Sequence, residues 1–185
     1  MVVQQLNQIE EVNQTVYVRN SSKLRTEEVA AVMVLEGDVL DTDRLAEAMQ
    51  GQDMAVAALS GDLLGQAKSI VKAIRQTSVS RVIWVTGLGI HHEVPGAAGE
   101  MLNYYVSRFP EYVQAADTIA NSGVTYTLVR AANLTDGSNM KYYLQKEGEN
   151  IHDEAVDRCA VAKFIVDMVK DKNGLGENDS LGVTN

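Results

Sequence analysis

The chain has 185 residues, 16 Lys+Arg against 25 Asp+Glu for a formal charge of −9, and hydrophobic and charged fractions of 45% and 22%. That length fits one domain with its own core. The acidic balance argues against nucleic-acid binding, which needs a basic patch, and no apolar run approaches the roughly 20 residues of a membrane span. The opening MVVQQLNQIEEVNQ has neither the basic start nor the apolar stretch of a secretory signal. A lone cysteine, Cys159, leaves no internal disulfide framework. The cytoplasm is the expected location.

Val2, Val3, Leu6 and Ile9 follow helical spacing, so the chain opens in a helix. TVYVR (15–19) and VMVLEGDV (32–39) are β-branched and apolar runs that predict strands. Asp41 or Thr42 then caps a helix with Leu45, Ala48 and Met49 on one face. MAVAAL (54–59) is nearly all apolar, the pattern of a strand buried on both faces. Leu64, Ala67, Val71 and Ile74 form a helical stripe ahead of the strand RVIWVT (81–86). The segment 87–109 reads as irregular or partly helical. Pro110 and Gly123 bracket a helix carrying Val113, Ala116, Ile119 and Ala120, and the strand TYTLVR (125–130) follows. YYLQK (142–146) and ENIH (149–152) are expected to pair across Gly148 as a hairpin. Asp157 is the expected cap of a last helix with Val161, Phe164, Ile165 and Met168, and LGVT (181–184) a closing edge strand. Strands alternating with helices mean βαβ units, right-handed crossovers and a doubly wound, mostly parallel α/β sheet. One domain over 1–185 is expected, with a small substrate-side portion at about 131–156.

Five stretches in order, VYVRNSSKL (16–24), LEGDVLDTDRLAEAMQGQD (35–53), RVIWVTGLG (81–89), SGVTYTLVRAANLTDG (122–137) and VDRCAVAKFIVDMV (156–169), resemble the atypical short-chain dehydrogenase/reductases. This group of NAD(P)-binding, Rossmann-like proteins includes NmrA-like and flavin-reductase-like members. The resemblance spans nearly the whole chain. It implies a first strand and a G-x-x-G-x-x-G turn opening the first helix, whose backbone N–H groups hold the pyrophosphate. Here the first glycine is Gly37, and MVVQQLNQ resembles the body of that first helix. The sequence thus reads as N-terminally truncated relative to the family. Three explanations stand side by side: a start at an internal methionine of a longer chain, completion by a strand from another subunit, and a non-binding paralogue. In the family's strand order the absent strand is central, so TVYVR and VMVLEGDV are expected to stand apart from the sheet or to re-pair.

The resemblance also implies site residues. Arg19 ends the second family strand, where a guanidinium pairs with a 2′-phosphate and favours NADP over NAD, with Lys23 assisting. A solvated strand-end arginine is the alternative. Asp38 and Val39 lie where the family contacts adenine, unless Asp38 simply caps a turn. Ala58, Leu59 and Ser60 stand where small residues let the cofactor pass, or else pack the core. Thr86 and Gly87 end the strand that in active relatives offers a hydroxyl to a substrate carbonyl. TGLGI follows the wrong strand for a glycine fingerprint and is a decoy. Tyr112 matches the tyrosine of a Tyr-x-x-x-Lys pair, but Ala116 stands in the lysine position; Tyr104 has Arg108 at that spacing, which cannot reproduce the lysine geometry.

No metal site is expected: His91, His92 and Glu93 read as a solvated loop tip without further ligands at useful spacing. His152 reads as a surface or lid residue, Cys159 as packed against the sheet, and Arg158 as part of a structural ion pair. The implied function is an NAD(P)-dependent oxidoreductase reducing a quinone, a flavin or a small carbonyl. The alternative is a non-catalytic dinucleotide sensor or interaction protein, with a sugar-nucleotide enzyme ranked last because little chain follows residue 131. The expected partner is a small-molecule substrate, not nucleic acid or membrane, and a gap in the sheet would encourage homo-oligomers through strand addition.

Overall fold

The computed structural model describes residues 1–30, 32–151 and 153–185, the Glu28 side chain aside. The chain runs through α1 (Val2–Leu6), β1 (Thr15–Val18), a 3₁₀ turn (Ser21–Lys23), α2 (Thr26–Val29) and β2 (Met33–Glu36). It continues with α3 (Thr42–Met49), β3 (Met54–Ala57), α4 (Leu63–Ile74), β4 (Arg81–Gly87), α5 (Gly96–Arg108), α6 (Glu111–Ala120) and β5 (Thr125–Ala131). Three short strands, β6 (Asn133–Thr135), β7 (Tyr143–Gln145) and β8 (Ala155–Asp157), precede α7 (Arg158–Lys170) and β9 (Asp179–Thr184). The main sheet has the order β3-β4-β5-β9-β7, parallel except for β7. The expected α/β class and mostly parallel sheet are what the structure shows.

Alternating side chains on β4 and β5 build two cores. Val82, Trp84 and Leu128 pack with Leu45 of α3, Ile70 and Ile74 of α4 and Ile119 of α6. Ile83 and Val129 face the other way, onto Phe164, Ile165 and Met168 of α7. The helix starts follow from short polar side chains that accept orphan backbone donors. The Asp41 carboxylate accepts from the Arg44 amide at 3.1 Å and the Asp62 carboxylate from the Gly65 amide at 2.9 Å.

β1 and β2 pair in parallel with each other, Val18 opposite Glu36, as a separate two-stranded sheet. The expected separation of TVYVR and VMVLEGDV from the rest is therefore present. Among the described residues the outer edges of β1 and β3 have no ladder partner, and both strands line one cleft with Leu45, Ala48 and Met49 of α3. That position corrects the reading of MAVAAL as a doubly buried strand: Val56 is 39% exposed.

Other readings change as well. YYLQK and ENIH make no hairpin; β7 pairs antiparallel with β9, Leu144 opposite Val183, and residues 149–151 form no strand. β9 is therefore interior, between β5 and β7, and not an edge strand. The apolar alternation of LGVT could not reveal a distant three-residue neighbour. Asp157 does precede α7, but its carboxylate makes no cap. It accepts instead from the Thr135 hydroxyl and from the amides of Gly137 (3.2 Å) and Asn139 (2.8 Å), folding the 136–139 loop onto the start of α7. α1 ends at Leu6, before Ile9. His152 lies outside the described residues.

The loop after β4 is not a solvated tip. Glu93 is 7% exposed and forms an ion pair with Arg130, which is 1% exposed. Burial works against the Glu93 carboxylate, yet the Gly89 amide and Arg130 hold its pKa below the usual carboxylate value. Glu93 also accepts from the Gly89 amide at 2.8 Å and the His91 amide at 3.0 Å, so one carboxylate ties its own loop to β5. Arg130→Met leaves that carboxylate buried and uncompensated and should lower unfolding free energy by about 3–5 kcal/mol. Urea unfolding checks it; a loss under about 1 kcal/mol would mean that the pair's desolvation cancels its attraction.

Candidate functional site

In a parallel sheet the crevice beyond the carboxyl ends of the strands is where ligands bind, because the loops there are free to diverge. Arg19 follows the last residue of β1 and is exposed, as is Lys23 at the end of the 3₁₀ turn. Between them Asn20 caps that turn, its side-chain oxygen accepting from the Ser22 amide at 2.9 Å. The Ser21 amide donates to Glu36 at 2.6 Å across the β1–β2 pair, and Ser21 holds the Glu36 carboxyl below its ordinary pKa. Glu36 is thereby committed to the backbone, and the exposed Arg19 and Lys23 carry the positive charge at this corner.

Asp38 caps a turn, its carboxylate accepting from the Leu40 amide at 3.0 Å. Its carbonyl accepts from the Tyr17 hydroxyl at 3.1 Å, and a Cβ on the intervening Gly37 would lie 2.0 Å from that hydroxyl oxygen. A side chain at 37 would therefore displace the Tyr17 ring and its bond to Asp38, with no positive φ involved. Val39 and Leu59 are half-buried and line the β1–β3 cleft with Tyr17 and Ala57. Ala58 and Ser60 are exposed beyond β3, and the Ser60 carbonyl accepts from the Gln66 side chain at 3.1 Å. The two readings of this group coexist: Val39 and Leu59 pack, while Ala58 and Ser60 face outward.

Thr86 and Gly87 close β4, with Thr86 opposite Arg130 and Gly87 opposite Ala131. The Thr86 hydroxyl is buried without a hydrogen-bond partner. A buried, unpaired hydroxyl costs on the order of 1–3 kcal/mol, so its retention needs a reason. Beside it, a Cβ on Gly87 would meet nothing within 4 Å. An unpaired hydroxyl at a strand end can accept from or donate to a group bound next to it.

Tyr112 lies in the first turn of α6, half-buried, with its ring 5.9 Å from that of Tyr105. Its hydrogen bond with Tyr105, then burial, push its pKa up, the reverse of the shift that a proton-donating tyrosine gains from a lysine. Tyr104 is 71% exposed on α5. Arg158 forms the expected ion pair, at 2.6 Å from Asp136. Cys159 is only half-buried, its thiol directed at the Gly137 and Asn139 carbonyls rather than at the sheet. Among the described residues no cluster of His, Cys, Asp and Glu could hold a metal, and no helix is long and apolar enough to cross a membrane.

Sequence reasoning missed two groups. One joins His91, Glu93, Arg130 and Glu147; its only signal was a charged residue inside the apolar alternation of TYTLVR. The other lies under the 138–143 segment, where the Tyr142 hydroxyl (2.7 Å) and the Lys163 ammonium (2.5 Å) share the Asp167 carboxylate. Burial and that carboxylate push the Tyr142 pKa far up, so this phenol stays protonated.

A dinucleotide can be tested against these residues end by end. The exposed Arg19 and Lys23 suit a phosphate at the β1 corner, and Thr86 with Gly87 offers a hydroxyl and space at the other end. For the pyrophosphate the described residues supply no glycine-rich turn, since Gly37 is the first glycine and α1 has only five residues. The fit is partial: two ends without the middle.

Comparison with known proteins agrees. Residues 1–172 match the model of an NAD(P)H-binding family. A Rossmann-fold NAD(P)-binding family protein from Shigella flexneri is 33% identical, with a TM-score of 0.82 over 100% of this chain and 86% of that one. A wide-type short-chain dehydrogenase/reductase from Veillonella parvula, solved in complex with NADP, is 25% identical at a TM-score of 0.89, over 100% of this chain and 88% of that one. An anaerobillin reductase from Escherichia coli O157:H7 shares the fold alone, at 19% identity and a TM-score of 0.79 over 99% and 89% of the two chains. No curated protein matches the sequence. The chain belongs to the NAD(P)H-binding family of Rossmann-fold proteins.

Proposed function

We propose that this chain serves an NAD(P)-dependent oxidoreductase of the atypical short-chain type, with NADP preferred to NAD and a quinone, flavin or small carbonyl as acceptor. The observation that carries the reading is the Thr86 hydroxyl, buried and unpartnered beside the open space at Gly87. The nicotinamide supplies a hydride; the chain's own part is binding and orientation. Arg19, with Lys23 near, offers charge-assisted donors to a 2′-phosphate, and Asp38 and Val39 border the adenosine. Ala58 and Ser60 keep the rim beyond β3 low. Thr86 offers the hydrogen bond that fixes an acceptor oxygen.

A second reading, a dinucleotide sensor without turnover, is favoured by Tyr112. Ala116 stands where a lysine would lower its pKa, and Tyr105 raises it instead. Acid catalysis by Tyr112 is therefore not part of the proposed chemistry, and the acceptor would be one that takes a hydride without a strong protein acid.

Calorimetric titration of the whole chain with NADPH and NADH tests cofactor choice. Arg19→Ala should weaken NADPH by about tenfold or more, the worth of a charge-assisted hydrogen bond, and leave NADH nearly unchanged. Equal loss for both would end the assignment.

Turnover with a quinone or flavin acceptor separates enzyme from sensor. Thr86→Val should lower kcat/KM by about tenfold, with Thr86→Ser close to the parent, and Tyr112→Phe should stay within about twofold. Cofactor binding with no turnover on any of these acceptors would favour the sensor.

A further inference from the structure

The loop after β4 meets β5 and the segment after β7, Glu93 pairing with Arg130 and His91 with Glu147. Two carboxylates meet it there. His91 Nδ1 lies 2.7 Å from Glu147, in the segment after β7, and Nε2 lies 3.2 Å from Asp117 on α6. A neutral imidazole has one N–H and one lone pair. It can satisfy one of these carboxylates only by turning its lone pair on the other. The imidazolium, a donor at both nitrogens, satisfies both.

The clamp is part of a wider network. Glu147 also bonds to Ser180 of β9. Arg130 donates to the Ser180 hydroxyl at 2.9 Å and to its carbonyl at 3.1 Å. Glu93 closes the circuit, accepting from Arg130 and from the Gly89 and His91 amides. The charges that face His91 are thus Asp117 from α6, Glu147 from the segment after β7, and the Glu93–Arg130 pair beneath it. Lys146, 3.7 Å from Asp179, flanks the group at the surface. Within the five-charge group of His91, Arg130, Glu93, Glu147 and Asp117, a neutral His91 leaves three carboxylates facing one cation.

We propose that His91 is a positioning residue, a protonation-dependent pin that holds the 88–94 loop down and so fixes Thr86 and Gly87 at the mouth of the site. Its importance for function rests on the reading of that site given above, but the pin itself does not. Burial opposes the charge on His91, yet Glu147 and Asp117 outweigh it and raise the pKa above the ordinary histidine value. A group whose folded pKa is raised gives its full contribution below its unfolded value of about 6.5 and loses it as pH rises through the folded value. The outer side of the loop is therefore pinned in mildly acidic to neutral solution and loosened above it, while the Glu93–Arg130 pair still anchors its base.

Two measurements on the whole chain test this. Nuclear magnetic resonance of the histidine rings should show His91 titrating above about 6.5. Hydrogen exchange at the Gly89 and His91 amides, corrected for intrinsic rates, should lose protection through the same midpoint, about tenfold for each unit of elevation. The Thr86 and Gly87 amide resonances should shift with it. Glu147→Gln should lower the midpoint, and His91→Gln should abolish the pH-dependent loss while the protein stays folded. A midpoint at or below 6.5, or the same pH profile in His91→Gln, overturns the pin. Loop amides that move while Thr86 and Gly87 do not overturn its positioning role. Failure of NADPH to bind would defeat the proposed function and leave these outcomes untouched.

Discussion

Arg130 sits at 1% exposure in the middle of the sheet, and it can sit there only because Glu93 comes to meet it. A guanidinium so deeply buried must find acceptors for its fork of donors. β5 cannot supply them from its own side chains, so the acceptors arrive from elsewhere: Glu93 from the loop after β4, the Ser180 hydroxyl and carbonyl from β9, and the Gln145 carbonyl from β7. Three segments distant in sequence are therefore placed by one side chain. The loop after β4 cannot wander into solvent without exposing two charges' worth of broken contacts, and Thr86 inherits its position from that restraint.

This explains why the site is ordered where it is. At the β4 end, order comes from a buried network, and the Thr86 hydroxyl is left as an unanswered polar group at the carboxyl end of that strand. At the β1 end, order comes from exposed hydrogen bonds: Ser21 with Glu36, Asn20 with Ser22, Tyr17 with Asp38. Exposed bonds of this kind contribute little to stability but fix backbone shape. They fold the corner so that Glu36 and Asp38 are occupied by amides, which leaves Arg19, among the described residues, without an ion pair and able to attract an anion.

The sequence disclosed the elements whose periodicity is long: α3, α4, α6, α7 and the strands β4 and β5 lie where their patterns put them, and Asp41 caps as its type suggests. It concealed whatever depends on pairing between distant short segments. Three-residue β7 carries no period of its own, so YYLQK looked like half of a hairpin and β9 like an edge. Asp157 was legible as a helix-start residue but not as the acceptor for a loop 18 to 22 residues upstream. Glu93 was misread for the same reason. In sequence it neighbours two histidines and a proline, all loop residues, and its true partner is 37 positions away. The candidate adenosine corner, by contrast, is named by the family resemblance, with Arg19 directly after β1 and Asp38 two residues past β2.

What joins the two ends of the site is apolar rather than polar. Among the described residues β1 and β2 share no ladder with the main sheet, so no ladder hydrogen bonds set Arg19 relative to Thr86. The link is α3, which packs on α4 and β1 together: Leu45 and Met49 lie in the same core as Ile70, Trp84 and the half-buried Tyr17. Dispersion and burial are strong in sum but not directional. A contact surface of this type fixes distance better than it fixes twist. The geometry across the β1–β3 cleft is therefore the softest part of the candidate site, and any ligand reaching from Arg19 to Thr86 would itself supply the directional bonds that the packing lacks.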